Sequence, residues 1–134
     1  MMQHIEEHDL IVPEQFGFRR GHSTTHQQVR VENDTHRNTA LSNNTVMVLL
    51  DGEKAFDNVW HDGLVYKLVQ TGFSTYLTRM VRNYLANRSF RVHFTGTESE
   101  LQAIPAGVLQ SSLLGSILYN LYTSNFPPLP VGAY

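Results

Sequence analysis

Cysteine is absent from the 134 residues. Disulfides and thiolate metal sites are thereby excluded, which fits a reducing compartment. Long apolar runs are also missing: none approaches the roughly 18 residues needed to span a bilayer. The opening stretch, Met1-Met2-Gln3-His4-Ile5-Glu6-Glu7-His8, is polar, contains no signal-peptide core and reads as a disordered end. Charge of either sign is sparse, at 16% Asp, Glu, Lys and Arg, and the formal net charge is −2. A free-standing nucleic-acid binder is usually basic, so the overall balance argues against one. What remains is an ordinary globular composition, 41% hydrophobic, sufficient for one domain with one core. The expected class is a soluble intracellular protein without membrane association.

The local distribution of charge differs from the sum. Arg19-Arg20 is one basic pair, and Arg79, Arg82, Arg88 and Arg91 form a second cluster. Such arginines are either solvated surface or phosphate contacts, and the charge pattern alone leaves both readings open.

No internal repeat or low-complexity tract interrupts the chain. Residues 9–22 mix Pro13, Gly17 and Gly21 with aromatics and read as a loop. Ser23 or Thr24 can cap a helix running to about Asn38, with a poor apolar face of Val29 and Val31. Thr45–Leu50 is β-branched and apolar almost throughout, the pattern of a strand covered on both faces. Such a strand needs neighbours, and few other segments here could supply them, so the chain reads as part of a larger domain. Asp57 or Asn58 can cap the next helix, where Trp60, Leu64 and Leu68 recur every fourth residue and Gly72 is the stop. Ser74 caps a further helix with Leu77, Met80, Val81, Tyr84 and Leu85 on one face and Arg79, Arg82 and Asn83 on the other. The period then changes to two: Phe90, Val92 and Phe94 alternate with Arg91, His93 and Thr95, Gly96 turns, and residues 99–104 return as a hairpin. A last helix carries Leu114, Ile117, Leu118, Leu121 and Tyr122 on one stripe, before Pro127-Pro128-Leu129-Pro130. Strands and helices mix without strict alternation, so the fold class is α+β.

The chemistry concentrates at Asp51. A carboxylate at the end of an apolar strand, followed at once by Gly52 and a turn, is an oxygen ligand suited to a hard cation such as Mg²⁺. Mg²⁺ commonly takes one or two protein carboxylates and fills its shell with water and phosphate oxygens. The competing reading of Asp51 is a helix cap or a surface turn. Asp57 can likewise be a second ligand or the cap of the following helix. Phe56 alone reads as core packing, and Gln110 alone carries no meaning.

Several segments together resemble the reverse transcriptase domain of non-LTR (LINE-like) retrotransposons, most closely the jockey-type elements. Pro13-Glu14-Gln15-Phe16-Gly17-Phe18-Arg19 and Ser23-Thr24-Thr25-His26 look like the family's first fingers motif. Leu50-Asp51-Gly52-Glu53-Lys54-Ala55-Phe56-Asp57, followed by Val59-Trp60-His61, looks like motif A. Gly72-Phe73 and Tyr84-Leu85-Ala86-Asn87-Arg88 match the connecting helices. Ala106-Gly107-Val108-Leu109-Gln110-Ser111-Ser112-Leu113-Leu114-Gly115 looks like motif B, and Tyr119-Asn120-Leu121-Tyr122 follows it. The likeness runs from about residue 10 to residue 130, and ordered motifs at consistent spacing make it highly specific.

The resemblance implies the fingers and first part of the palm of a right-hand polymerase. Residues 10–44 would be a fingers segment, 45–57 palm motif A, 58–106 connecting helices and a hairpin, and 107–126 the motif B helix. It also implies RNA-directed DNA polymerisation on an RNA template with a DNA primer and dNTPs. Asp51 would bind both catalytic Mg²⁺ ions, which lie about 3.5–4 Å apart in two-metal phosphoryl transfer and stabilise the attacking and leaving oxygens. Phe56 would stack under the incoming sugar and disfavour one class of sugar by contact with its 2′ position. Arg19 would contact template or triphosphate, for which guanidinium is suited, and Gln110 would lie beside the nascent base pair.

Some residues depart from the family pattern. Motif B usually reads Pro-Gln-Gly, whereas here it is Leu109-Gln110-Ser111. Serine in place of that glycine is expected to cost on the order of 1 kcal/mol if its φ is positive. Ser116 replaces another usual proline, and Gly52 a commoner apolar residue. The family's next motif, aromatic-Ala-Asp-Asp on a hairpin, does not occur before Tyr134. A truncated polymerase segment with an incomplete metal site, inactive by itself, is therefore expected. The alternative is a non-enzymatic nucleic-acid-binding or interaction remnant. Histidine pairs at His4/His8 and His22/His26 have helical i, i+4 spacing but read as polar surface residues.

Overall fold

A computed structural model describes residues 1–49 and 51–125. Five helices and two short antiparallel ladders occur among them: α1 Met2–Glu7, α2 Thr24–Ala40, α3 His61–Gln70, α4 Thr75–Leu85, β1 Ser89–Phe90, β2 His93–Phe94, β3 Thr97–Glu98, β4 Gln102–Ala103 and α5 Leu113–Thr123. The expected α+β class holds. Leu50 and the proline-containing tail 127–130 lie outside the described residues.

The core is built largely where the apolar periods lead, but Trp60, at the head of its row, and Met80 are exposed. α3 packs on both α4 and α5. Leu64 and Leu68 of α3, Val81 and Leu85 of α4, and Leu118 and Leu121 of α5 are essentially inaccessible. Each such side chain contributes about 1.5–3 kcal/mol relative to exposure. α3 stops as its sequence requires. Phe73 N–H donates to Leu68 O and Gly72 N–H to Val69 O, the paired bonds that satisfy the last carbonyls of a helix. Phe73, just past the stop, is buried beside Leu68.

Helix starts follow the caps in three cases. Ser23 Oγ accepts from His26 N–H, Ser74 Oγ from Leu77 N–H, and Ser112 Oγ from Gly115 N–H. Replacing Ser74 with alanine is expected to cost about 1 kcal/mol. A lowered urea midpoint with an unchanged slope would show it, and an unchanged midpoint would contradict it. α2 buries no residue, consistent with its poor apolar face.

Three expectations are corrected. First, residues 45–49 form no strand. Val46 is 83% exposed and Leu49 86% exposed. A strand is stable only as a member of a ladder, and β1–β4 pair only with one another. Second, neither Asp57 nor Asn58 caps α3. The helix begins at His61 after Trp60, with no side-chain cap. The N–H groups of Asp57 and Asn58 both turn back to Lys54 O, and Asn58 Nδ2 donates to Glu53 O. Lys54 has φ +50, which closes this turn before the helix can start. Third, the N-terminal stretch is a helix. Ile5 is buried, His4 Nε2 donates to Thr71 O at 2.9 Å, and the His4 ring lies 4.5 Å from that of Phe73. One apolar residue among polar neighbours carries no periodic signal, so only the packing reveals it.

The hairpin forms with one irregularity. Phe94 faces Thr97 and His93 faces Glu98, but Phe90 faces Gln102 and Ser89 faces Ala103. The return strand thus holds one extra residue between the two ladders, a bulge that breaks the alternation of faces. Phe90, Val92 and Phe94 are left exposed.

Candidate functional site

Three segments far apart in sequence meet beside α5. The first is the loop 13–19. Gln15 Nε2 donates to Asn120 Oδ1 at 3.1 Å, while Asn120 Nδ2 donates to Gly17 O at 2.9 Å and Phe18 O at 3.3 Å. Asn120 is 1% exposed. A buried amide satisfied by loop atoms holds that loop in one conformation. Phe18 has φ +54, an uncommon state for a bulky residue, and its carbonyl is held there by Asn120.

The second and third segments are 51–61 and 106–115. Val108 N–H donates to Phe56 O and Gly107 N–H to Val59 O, both at 2.9 Å. The Gly107 carbonyl accepts from His61 Nε2 at 2.8 Å and from Arg88 at 3.2 Å. Gly107 has φ +94, and a Cβ there would lie 2.8 Å from both Cα and O of Asp57. Only glycine allows the two backbones this approach.

Aromatic rings close the junction. Phe56 stacks on Tyr119 of α5 with centroids 4.3 Å apart and planes at 19°. Phe18 meets Phe56 in an edge arrangement at 5.7 Å and 85°. Both geometries suit the aromatic quadrupole.

The candidate residues are distributed unevenly around this junction. Phe56 is at its centre and half-buried against the core. Gln110 is exposed at the end of the loop before α5 and lines a groove of about 540 Å³ with Asp57, Arg88 and Phe90. Arg19 faces elsewhere. It donates to Val12 O at 3.1 Å and lines a separate groove of about 440 Å³ with Arg20, His22, Leu113 and Ile117. Asp51 is exposed in a segment without regular structure. Among the described residues no hydrogen bond or ion pair engages its carboxylate, and no group of three or more His, Asp or Glu could hold a metal ion. Ser111 is not among the residues with positive φ, so the backbone cost attached to that condition does not arise.

The arginine cluster is divided. Arg79 and Arg82 are exposed on α4, Arg88 is engaged by Gly107 O, and Arg91 pairs with Glu98 at 3.3 Å. Lys67 Nζ donates to Tyr122 O at the end of α5, and burial lowers its ammonium pKa below the ordinary lysine value.

The polar links Gln15, His61, Arg88 and Asn120 have no strong signature in the sequence. Asn120 leaves a trace: it lies three residues after Ile117, at the edge of the apolar stripe of α5. A polar residue at that position needs buried partners.

Comparison with known proteins gives a consistent result. The family described as “Reverse transcriptase (RNA-dependent DNA polymerase)” matches residues 1–128. The chain is similar to the “RNA-directed DNA polymerase from mobile element jockey” of Drosophila melanogaster, 40% identical over 113 residues, which is 84% of this chain and 12% of that protein. It is 39% identical over 131 residues to the “Probable RNA-directed DNA polymerase from transposon X-element” of the same organism, covering 97% of this chain and 14% of the relative. For the “Probable RNA-directed DNA polymerase from transposon BS” the figures are 36% over 123 residues, 92% and 14%. The chain thus spans 12–14% of the length of these curated relatives. No solved structure is a significant match. Among the described residues no helix is long and apolar enough to cross a membrane.

Proposed function

The chain belongs to the reverse transcriptase (RNA-dependent DNA polymerase) family, and from that premise we propose that it is the fingers and first palm segment of a non-LTR retrotransposon polymerase. Residues 10–44 are the fingers part, 45–57 motif A, 58–106 the connecting helices and hairpin, and 107–126 the motif B helix. One observation supports this reading above the others. The loop 13–19, the segment 51–61 and the segment 106–120 are bound into one junction by Asn120, Gly107 and the ring of Phe56. These are the segments whose residues carry the family resemblance.

In this reading the chain acts on an RNA template, a DNA primer and dNTPs. Asp51 presents an exposed carboxylate without a protein partner among the described residues, which fits a ligand of Mg²⁺. Mg²⁺, when bound, supplies charge stabilisation for the in-line transfer of a nucleotidyl group. Phe56 lies under the incoming sugar, Gln110 beside the nascent base pair, and Arg19 against template or triphosphate. Asp51 is the one carboxylate this reading assigns to the two ions, and the expected result is that the polypeptide 1–134 by itself incorporates no nucleotide.

The test is a chimera in which residues 1–134 replace the matching segment of the longer Drosophila melanogaster jockey polymerase. Magnesium-dependent primer extension is expected, and Asp51→Asn is expected to lower it by about 10²–10³-fold. Full activity of the Asn variant would remove Asp51 from the mechanism. Extension by the 134-residue polypeptide alone would overturn the view that it needs further ligands.

A further inference from the structure

Phe56 is the candidate site residue that packs against the core, and its enclosure comes from elements on which the sugar-contact role makes no demand. One face of its ring stacks on Tyr119 at 4.3 Å and 19°. Tyr119 projects from α5 between Leu118 and Asn120, both almost inaccessible, so its own position is set by the core. Phe18 also meets Phe56, at 85°, and the Phe18 backbone is tied to the same helix through Asn120. The Phe56 carbonyl accepts from Val108 N–H, which fixes the backbone that bears the ring. With its main chain anchored, the remaining freedom of Phe56 is rotation of the side chain, and Tyr119 limits it.

A ring that selects a sugar by contact must resist displacement. If it can swing away, a 2′ hydroxyl is accommodated and selectivity falls. We propose that Tyr119 is a positioning residue that sets the strictness of sugar selection through Phe56, which rests on the reading of Phe56 as the sugar-contacting residue. Among the described residues the Tyr119 hydroxyl makes no side-chain hydrogen bond, so the ring rather than the hydroxyl carries this role.

Two measurements test it. In the chimeric polymerase, kcat and KM are measured for matched deoxyribo- and ribonucleoside triphosphates with Tyr119→Leu, Tyr119→Phe and Phe56→Ala. Tyr119→Leu is expected to lower discrimination about tenfold, chiefly through a lower KM for the ribonucleotide, and Tyr119→Phe to stay within about twofold of the parent. Phe56→Ala is expected to lower it further. If Phe56→Ala relaxes selection and Tyr119→Leu does not, Tyr119 has no positioning role while the Phe56 reading stands. If Phe56→Ala leaves selection unchanged, the Phe56 reading fails and this inference with it. In the 134-residue chain itself, the aromatic protons of Phe56 should be shifted upfield by the Tyr119 ring current. That shift should persist in Tyr119→Phe and collapse in Tyr119→Leu. Unshifted Phe56 protons in the parent chain would overturn the stacking on which the proposal depends.

Discussion

Replacing Gly115 with alanine is expected to destabilise the chain by on the order of 3 kcal/mol, a large part of the roughly 5–15 kcal/mol that holds a typical domain together. An added Cβ would penetrate the carbonyl oxygen of Leu109 and lie 2.8 Å from the Leu109 carbonyl carbon and from Ser112 Oγ. These neighbours cannot move freely. Leu109 O accepts from Ser112 Oγ, and that same hydroxyl accepts from Gly115 N–H to begin α5. Helix propensity pulls the other way, favouring alanine over glycine by about 1 kcal/mol, but the collision is the larger effect. Denaturant unfolding followed by far-UV circular dichroism would measure the balance. An alanine variant as stable as the parent would mean that the loop before α5 is not packed as described.

The second large effect is expected at Asn120. Leucine has a similar volume but cannot bond to the loop. Asn120→Leu leaves Phe18 O without its donor, and leaves Gly17 O and Gln15 Nε2 with only the 3.3 Å bond between them. Leaving a buried polar group unpaired costs about 1–3 kcal/mol. Phe18 is largely exposed, so water replaces part of what is lost there. A total of roughly 1–3 kcal/mol follows, with the loop 13–19 released from α5. Faster amide exchange at residues 15–20, beyond any change in the α3–α4 core, would report that release. Unchanged protection in this loop would show that Asn120 does not hold it.

The elements that could be read from sequence are those whose causes are local. Ser23 and Ser74 cap helices because a hydroxyl reaches an N–H three residues on; Ser112 does the same, but its cap emerged only with the structure. The stripe Leu114, Ile117, Leu118 and Leu121 faces inward because helical spacing puts it on one side. The hairpin about Gly96 follows from period two and a turn residue, though its extra residue on the return strand leaves no such mark. Asp57 shows where local logic loses. Its capping signal is genuine, but the turn at Lys54 and the close contact with Gly107 hold residues 57–59 in a different path.

Family membership, the inward stripes of α3, α4 and α5 and the positions of Asp51, Phe56 and Gln110 along the chain were legible in residue order alone, since motifs and periods are written in consecutive residues. The tertiary structure decided which of those positions meet. It brought Phe56 against Tyr119 and Phe18, turned Arg19 toward Val12, and left residues 45–49 without a ladder. The physical reason is the same in each case. Stacking, a buried amide and a strand's hydrogen bonds all need a partner supplied from far along the chain, and no local pattern names that partner.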